Sequence, residues 1–388
     1  MRGVIRQTVA VSAWNFRSLR ERVVPAIVVV VGFFAVVLVF VAVLSIRQGF
    51  AITLGNSDSP NTAYVFGNFS SVTATELTVI GQAPGVVRGP SGALVAGIFG
   101  AVAQIRMRDT GMMGSVIMRA IPSNISAIWP QFHLVEGRMF RAGMDEIIVG
   151  RQAEHLFPGL KIGEVFEWNR HRWRVVGTFA MGGGAEESEI WADVGQLQQA
   201  YNAVGQYRLA MVRLTSPTAF PTFKQWVQHN PQLNVFTARA DDVWLQQAGR
   251  LDRPIALIGG VVTLLMAIGA IFGAINVMYA NVRGRMRYLA TFRAVGFGRL
   301  SVLGATLLEG MVLALLGGVS AGLVAYLVFN GYQASTTTNG AMMAFTFAVT
   351  PDLLRTALFL ALGMGFIGGL FPAIRAARMQ VARALQDA

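Results

Sequence analysis

Cysteine is absent from the 388 residues, so the chain can form neither a disulfide nor a thiolate metal or catalytic site. Charge is also scarce: 13% of the residues are charged, and Lys161 and Lys224 are the two lysines. Neither lysine follows the glycine-rich loop that holds phosphates in P-loop proteins. The histidines show no metal-ligand spacing. These absences exclude a disulfide-rich receptor, and we predict a non-catalytic chain with no metal or cofactor of its own.

Long apolar runs are the main feature that the sequence does have. A hydrocarbon core about 30 Å thick is crossed by about 20 helical residues, and four runs reach or approach that length. We predict transmembrane helices over residues 23–46, 254–282, 301–330 and 353–374. The polar segment 47–253 is long enough to be a domain. The predicted fold class is therefore an α-helical membrane protein, with one span before and three spans after a large extramembrane domain.

The arginines predict how the chain is oriented. They cluster before the first span, between the second and third spans and after the fourth, whereas the loop 331–352 has none. Because short basic segments stay in the cytoplasm, an amphipathic N-terminal helix (1–22), the segment 283–300 and the tail 375–388 are predicted inside. The domain 47–253 and the loop 331–352 are predicted outside. Without disulfides, the chain fits the inner membrane of a bacterium, with both termini cytoplasmic and the large domain periplasmic.

The first apolar run has two interpretations. A cleaved signal peptide has an apolar core of about 7–15 residues that ends in a small-residue cleavage site. Here the run extends from Val23 to Ile46, and Arg47 follows it directly. This length favours a membrane anchor that is retained.

The segment 47–253 alternates short β-branched runs with turn residues. Strands are predicted at 146–149, 165–168, 171–179 and 209–214, and helices at 195–203, 220–229 and 240–251. The apolar run 93–102 is too short to cross a bilayer and is assigned to the core of the domain. Mixed strands and helices predict an α+β domain. We expect its last helix to continue into the second span as a stalk, with Pro254 at a kink or a fresh helix start.

The segment 282–300, VRGRMRYLATFRAVGFGRL, is basic and amphipathic. Apolar residues recur at helical spacing, arginines occupy the other faces, and Gly296 is placed to end the helix. One interpretation is a helix that lies on anionic lipid as a topology signal. The other is a coupling helix that binds a cytoplasmic partner. Charge alone favours the first interpretation.

Several motifs resemble those of one family. The basic segment, followed by Glu309 and the glycines at 317–318, and later by the motif at 372–378, resembles the C-terminal permease signature of the MacB/FtsX family. The larger domain is similar to the family's periplasmic core domain at four places. These are residues 136–140, 147–150, 162–163 and 173–177. The chain departs from the family at Gly284 and Tyr288, where relatives often carry an acid.

The resemblance implies a membrane subunit of a type VII ABC transporter. ATP and Mg²⁺ would be bound by a separate partner, a dimer of cytoplasmic ABC ATPases. Arginines at the cytoplasmic end would couple to that partner. They are Arg283, Arg285, Arg287, Arg293, Arg299, Arg375 and Arg378. Further expected partners are a second permease copy, identical or a close paralogue, a periplasmic adaptor and membrane lipids, but no nucleic acid.

Glu309 is the acid inside a predicted span. An acid at the middle of a bilayer costs about 2.5–3.5 kcal/mol on insertion scales, so it needs a partner or access to the interface. Asn276 lies at a similar predicted depth on the antiparallel second span. We expect a polar contact between these two side chains. The alternative is a glutamate that snorkels toward the interface.

Glycine pairs at four-residue spacing occur on each of the last three spans. They are Gly269 and Gly273, Gly318 and Gly322, and Gly365 and Gly369. Such motifs allow helices to approach closely, so they predict a tight three-helix unit and suggest a dimer seam.

An acidic group, Glu186, Glu187 and Glu189, follows three glycines in the large domain. It lacks the alternating oxygen ligands of a calcium loop. We therefore interpret it as a solvated loop.

The resemblance therefore implies a permease subunit that couples cytoplasmic ATP hydrolysis to movement of the periplasmic domain, for export or extraction of a drug, lipid or lipoprotein. One alternative is an FtsX-like mechanotransmission protein that activates a periplasmic enzyme. Another is a membrane-anchored sensor without an ATPase, which would tolerate charge reversal in the basic segment.

Overall fold

A computed structural model describes most of the chain as two units. The described residues are 2–18, 23–57, 60–68, 71–90, 92–108, 111–122, 125–338 and 340–378. The membrane unit comprises Met1–Gln48, Asp252–Tyr332 and Phe347–Ala388, and the α+β unit comprises Gly49–Leu251 and Gln333–Thr346. The end of the predicted N-terminal helix (19–22) and most of the predicted tail (379–388) lie outside the described residues.

The helices carry the membrane-spanning part of the fold. They are α1 (Arg2–Ser18), α2 (Val23–Gly55), α3 (Ala74–Ile80), α4 (Ile125–Ile128), α5 (Arg151–Leu156), α6 (Val194–Ala200), α7 (Phe220–His229), α8 (Ala240–Gly284), α9 (Met286–Ala294), α10 (Arg299–Phe329) and α11 (Pro351–Arg378). Among the described residues, α2, α10, α11 and the Leu257–Gly284 part of α8 are long and apolar enough to cross a bilayer. The predicted arrangement of one span, a domain and three spans is confirmed.

Helix α8 joins the predicted stalk to the second span. It runs for 45 residues without interruption, and the helix continues through Pro254. Asp241 and Asp242 lie in its first turn, where negative charge stabilises the positive end of the helix dipole. The predicted continuity is confirmed, and Pro254 does not start a new helix.

The spans of the membrane unit share one apolar core. It includes Phe33 of α2, Ala274 of α8, Ala314 of α10 and Ala361 of α11, all of which are buried. Apolar side chains in this position gain dispersion contacts with their neighbours, which replace contacts with lipid chains.

Glycines bring α10 and α11 close together. A Cβ atom at Gly365 would lie 2.5 Å from the Cβ of Ala314, and one at Gly318 would lie 2.8 Å from the Cβ of Ala361. A Cβ at Gly322 would lie 3.3 Å from Leu354, a tight contact, whereas one at Gly369 would lie 3.5 Å from Leu307, an ordinary contact distance. A larger residue at Gly318 or Gly365 would force the two helices apart.

The first glycine pair behaves differently. Among the described residues, no atom comes within 4 Å of the Cβ positions at Gly269 and Gly273. Both glycines are exposed because they lie on the side of α8 that faces away from the other helices of this chain. This pair therefore does not contribute to the three-helix packing that its spacing predicted.

The strands of the α+β unit form one large sheet and three small ribbons. They are β1 (Thr62–Gly67), β2 (Val72–Thr73), β3 (Arg88–Gly89), β4 (Gly92–Ala93), β5 (Val95–Arg106), β6 (Met113–Ile121), β7 (His133–Gly137), β8 (Glu146–Gly150), β9 (Val165–Trp168), β10 (His171–Ala180), β11 (Ile190–Asp193), β12 (Gln206–Tyr207), β13 (Leu209–Arg213), β14 (Val235–Arg239), β15 (Gln333–Thr338) and β16 (Ala341–Thr346). The large sheet has the order β14-β1-β13-β5-β6-β11-β8-β10-β7, and β9 pairs with β10.

The predicted elements of this unit agree with the structure. Strands β8, β9, β10 and β13 and helices α6 and α7 lie where the alternation and helical spacing predicted them. The apolar run 93–102 falls largely in β5, which forms a long hairpin with β6 at the centre of the sheet. The α+β class is confirmed.

A β-hairpin occupies the loop predicted at 331–352. Strands β15 and β16 pair in antiparallel register and belong to the α+β unit. The backbone N–H of Ala344 donates to the Ser188 hydroxyl at 2.9 Å, and Phe345 packs edge-on against Phe50 at 5.7 Å between ring centroids. The chain between the last two spans is thus bound into the folded unit.

The acidic group is buried, so the predicted solvated loop is wrong. Glu186, Glu187 and Glu189 are at most 4% exposed and lie in a turn at residues 182–189, which we call the acidic turn. Glu187 accepts hydrogen bonds from the backbone N–H groups of Met181 and Gly183, each at 2.8 Å. These donors replace the water that the carboxylate loses on burial.

Glu189 has an arginine partner. Both of its carboxylate oxygens bind the guanidinium of Arg119, and one also accepts from the indole N–H of Trp191 at 2.9 Å. Burial opposes the charge on Arg119, but the adjacent Glu189 outweighs that effect and raises the arginine's pKa. The contact between Arg119 and Glu189 therefore fixes the acidic turn to β6.

A second ion pair joins β8 to the chain that follows β7. The guanidinium of Arg138 donates to both oxygens of Glu146 at 2.5 and 2.7 Å, and the backbone N–H of Arg141 adds a bond at 3.0 Å. The Arg138 hydrogen bonds are the main cause that lowers the pKa of Glu146 from 4.5 to about 2.

We predict that Gly150→Ala destabilises the α+β unit. A Cβ at this position would lie 2.2 Å from the backbone oxygen of Glu187, so the acidic turn would have to move. Overpacking of this kind costs about 1–3 kcal/mol, measured as the free energy of unfolding of the purified chain. Gly100→Ala on β5 is the control, because no atom lies within 4 Å of its Cβ position. Equal stability of the two variants would contradict the close approach.

The Arg138–Glu146 pair predicts a pH dependence. A carboxylate with a lowered folded pKa stabilises the fold above its unfolded pKa of 4.5, and this stabilisation is lost as the pH falls toward about 2. Arg138→Met should therefore lower the melting temperature at neutral pH, and its difference from the unsubstituted chain should shrink in acid. Arg172→Met, at an exposed arginine of β10, is the control. A difference that stays constant with pH would exclude this pair as the cause.

Candidate coupling surface

The basic segment folds into a sharp corner between α8 and α10. Helix α8 ends at Gly284, Arg285 lies at the break, and α9 spans only Met286–Ala294. The helix is thus shorter than the predicted segment 283–300, and Arg283 and Arg299 belong to the flanking helices. Residues 282–300, which form this corner, all lie in the membrane unit.

Gly296 ends α9, as its position in the sequence predicted. Its φ angle is +104°, which a residue with a side chain rarely adopts. The N–H of Gly296 donates to Arg293 O at 3.2 Å, and the N–H of Phe297 donates to Phe292 O at 3.1 Å. This is the Schellman pattern, which satisfies the last carbonyl groups and turns the chain toward α10.

The apolar side of α9 is held in the membrane unit. Leu289 is buried in a cluster with Val282 of α8, Val302 of α10 and Ala376 of α11. Helix α9 therefore packs against the ends of three spans, and its opposite side is left for solvent or a partner.

Arg285 and Glu309 form a buried ion pair. Nη2 of Arg285 donates to Oε2 of Glu309 at 2.7 Å, and the two side chains are 2% and 3% exposed. Nε of Arg285 also donates to the carbonyl oxygen of Asn281 at 3.3 Å. The pair connects the α8–α9 break directly to α10.

This geometry corrects two predictions. Asn276 is exposed, whereas Glu309 is buried against Arg285, so the expected Asn276–Glu309 contact is not formed. The sequence predicts the depth of Asn276 in the bilayer. It does not predict the direction around the helix axis in which the side chain points. Arg285 was expected on the partner-facing surface, yet its burial prevents direct contact with another protein.

Two other arginines hold the helix ends together. Arg293 of α9 donates to the carbonyl oxygen of Ala377 at 3.0 Å, which joins α9 to α11. The guanidinium of Arg375 lies over the ring of Tyr279, 5.5 Å from its centroid, which joins α11 to α8. Both contacts position the corner, although Arg375 remains exposed.

The remaining arginines form an open basic surface. Arg283, Arg287, Arg299 and Arg378 are all exposed. Large apolar side chains stand among them: Tyr288, Val295 and Leu300 are 57%, 75% and 68% exposed. Exposed apolar groups within a charged rim are typical of a protein-binding surface. We call these seven residues the basic surface.

Helix α1 also belongs to this corner. Trp14 packs against Tyr288 at 5.1 Å and Phe292 at 5.5 Å between ring centroids. The side-chain oxygen of Gln7 accepts hydrogen bonds from the Gly298 N–H and the Ser301 hydroxyl, each at 3.1 Å. The amphipathic pattern predicted a helix here but gave no sign that it packs on α9 and α10.

The corner offers no site for a metal. Within the residues that the structure describes, no group of three or more His, Asp or Glu side chains could hold an ion.

Two family models match the chain. The FtsX-like permease C-terminal model matches residues 260–381, which contain the corner and the last three spans. The MacB-like periplasmic core domain model matches residues 26–230, which is more than half of the chain.

Curated relatives agree with these models. The "Macrolide export ATP-binding/permease protein MacB" of Pectobacterium atrosepticum is 25% identical over 70% of this chain and 45% of its own length. The "Macrolide export ATP-binding/permease protein MacB 1/2" of Paracoccus denitrificans is 23% identical over 83% of this chain and 49% of its own length. The chain thus spans about half the length of these relatives.

A comparison with solved structures also finds a similarity. The periplasmic region of MacB from Actinobacillus actinomycetemcomitans matches 48% of this chain and 92% of its own, with 10% identity and a TM-score of 0.36. The assignment depends on the family models, which together extend from the first span to the end of the last one. The chain belongs to the MacB/FtsX-like permease family.

Proposed function

We propose that the chain is the permease subunit of an ABC transporter, and that it couples ATP hydrolysis by a cytoplasmic ATPase to movement of the α+β unit. The single observation that supports this most is the fixed corner at α9. The Arg285–Glu309 pair holds the corner inside the membrane unit, while the basic surface beside it stays open.

The basic surface indicates what kind of partner it binds. Positive side chains around Tyr288 and Leu300 favour a groove with acidic walls and an apolar floor. An ABC ATPase dimer with such a groove would approach from the cytoplasm. In this proposal ATP and Mg²⁺ are bound by the ATPase, and the chain lies in a bacterial inner membrane with the α+β unit in the periplasm.

Movement would pass from α9 to the spans through buried contacts. A push on α9 acts on α10 through Glu309 and on α11 through the Arg293–Ala377 bond. Helix α8 ends at Gly284, directly before Arg285 and α9, and it runs unbroken from Ala240, which is buried in the core of the α+β unit. We infer that α8 carries the movement as a stiff lever, without a substrate path through the bilayer.

The proposed complex also contains a second permease copy and a periplasmic adaptor. The second copy would add its own four spans to those of this chain, and the adaptor would receive the cargo. The cargo is a drug, lipid or lipoprotein, and two of the curated relatives carry macrolide export in their names.

We predict that Arg283→Glu with Arg287→Glu weakens binding of the ATPase by about tenfold or more, because like charges across an interface cost several kcal/mol. The complex would be purified from native membranes, the ATPase identified by mass spectrometry, and its affinity and hydrolysis rate measured with each variant. The melting temperature of the permease should not change, since both side chains are exposed.

The control carries the same change of charge elsewhere. Arg172→Glu with Arg355→Glu alters exposed arginines of β10 and of the opposite end of α11, and it should leave ATPase binding unchanged. Equal binding by both double variants, or a permease that never co-purifies with an ATPase, would overturn the proposal.

We also predict that Arg285→Met destabilises the chain by about 3–5 kcal/mol, because it leaves Glu309 buried without its partner charge. The double variant Arg285→Met with Glu309→Met should lose much less free energy of unfolding, since neither buried charge then remains. Asn276→Leu is the control and should have little effect, because Asn276 is exposed. Unfolding in denaturant, followed by tryptophan fluorescence, measures each value. Losses that simply add in the double variant would show that the two side chains do not act as a pair.

A further inference from the structure

The α+β unit contains a pocket that the proposed coupling does not use. Its volume is about 480 Å³, within the range of about 300–1,000 Å³ in which proteins bind drug-sized ligands. Strands β1, β5, β6 and β13 supply most of its lining, and Val243 in the first turn of α8 completes it. All of the lining residues lie within the α+β unit.

One wall is apolar and continuous. Phe66 pairs with Leu209, and Leu209 pairs with Ile98 on the next strand, so the three side chains share one face of the sheet. Phe66 also stacks on Phe236, with ring centroids 5.1 Å apart and planes 18° apart. Phe236 is 45% exposed, so the aromatic surface continues from Phe66 to solvent.

The floor is open because it carries a glycine. Gly100 lines the pocket, and no atom lies within 4 Å of the position that its Cβ would occupy. On the neighbouring strand its partner is Arg119, and Val102 beyond it is 44% exposed. The space above Gly100 on β5 therefore provides room for a ligand.

The charge in the lining is positive. Arg119 is neutralised by Glu189, which binds it through both carboxylate oxygens. Arg208 lines the same pocket and is exposed, and its guanidinium has no acidic partner among the described residues. An anionic group would therefore bind at Arg208, with the apolar wall beside it.

We propose that this pocket binds a small amphipathic anion, whose hydrocarbon or aromatic body lies on Phe66, Ile98 and Leu209 and whose carboxylate or sulfonate pairs with Arg208. This ligand site is independent of the proposed function: it does not depend on whether the basic surface binds an ATPase. Because Val243 belongs to α8, the occupant would contact the helix that continues into the membrane.

The test uses the full chain in lipid nanodiscs with a diazirine analogue of dodecanoic acid. After illumination, the labelled residues are mapped by mass spectrometry. Labels should appear on β1, β5 and β13 at the lining positions. Gly100→Leu fills the open floor and should reduce this labelling by about tenfold or more, since the ligand's buried apolar contacts are lost. Gln104→Leu, on the same strand but outside the lining, is the matched control.

The charge is tested separately. Arg208→Gln should weaken labelling by the dodecanoic acid probe by about tenfold, which is the value of one charge-assisted hydrogen bond. The corresponding dodecanol probe should not respond to Arg208→Gln. Circular dichroism and the melting temperature confirm that each variant is folded before its labelling is compared.

Three results would overturn the proposal. Labels confined to the spans and unchanged by Gly100→Leu would show that the pocket is not a ligand site. Equal labelling by both probes, unaffected by Arg208→Gln, would exclude an anionic ligand. Crosslinks between two copies of the chain at Phe66 or Phe236 that the dodecanoic acid probe does not displace would assign this surface to a protein interface.

Discussion

The buried pair of Arg285 and Glu309 is the constraint on which the corner between α8, α9 and α10 depends. Removing an ion from water costs several kcal/mol, and each of these ions recovers that cost only while the other is in place. Such a pair contributes little net stability compared with two apolar side chains, but it tolerates little movement because the geometry of the bond must be kept. The corner between α8, α9 and α10 is therefore held in one arrangement, which suits an element that must transmit force.

The sequence predicted the parts of the fold that depend on local patterns. Span positions follow from apolar length, β9 and α7 follow from alternation and helical spacing, and the end of α9 follows from Gly296. The role of Arg285 could not be predicted in this way. It is one of seven arginines proposed for coupling, and its burial is decided by Glu309, which lies 24 residues away on another helix. Local sequence does not specify how two helices are rotated toward each other.

The acidic turn shows the same limit in the α+β unit. Three glutamates beside three glycines have the composition of a solvated loop, yet Glu189 is buried against a partner from a distant part of the chain. Arg119 is 70 residues from Glu189 along the chain. The Ala185 N–H of the same turn donates to the Ser57 hydroxyl at 2.8 Å, and these two residues are 128 positions apart. Gly150 permits the turn's backbone to approach β8, but its importance is visible only once Glu187 is placed. Burial of charge depends on such long-range partners, and a single sequence does not reveal them.

The acidic turn also relates the fold to the proposed movement. Four stretches of chain connect the α+β unit with the membrane unit, and three of them have anchors on or near the acidic turn inside the α+β unit. The stretch after α2 is bound through Asn56 and Ser57, and β16 is bound through Ala344 to Ser188. Ala240 at the start of α8 is buried in a core that includes Trp191, whose indole N–H donates to Glu189. The anchors of these stretches therefore lie on one buried turn and its neighbours inside the α+β unit.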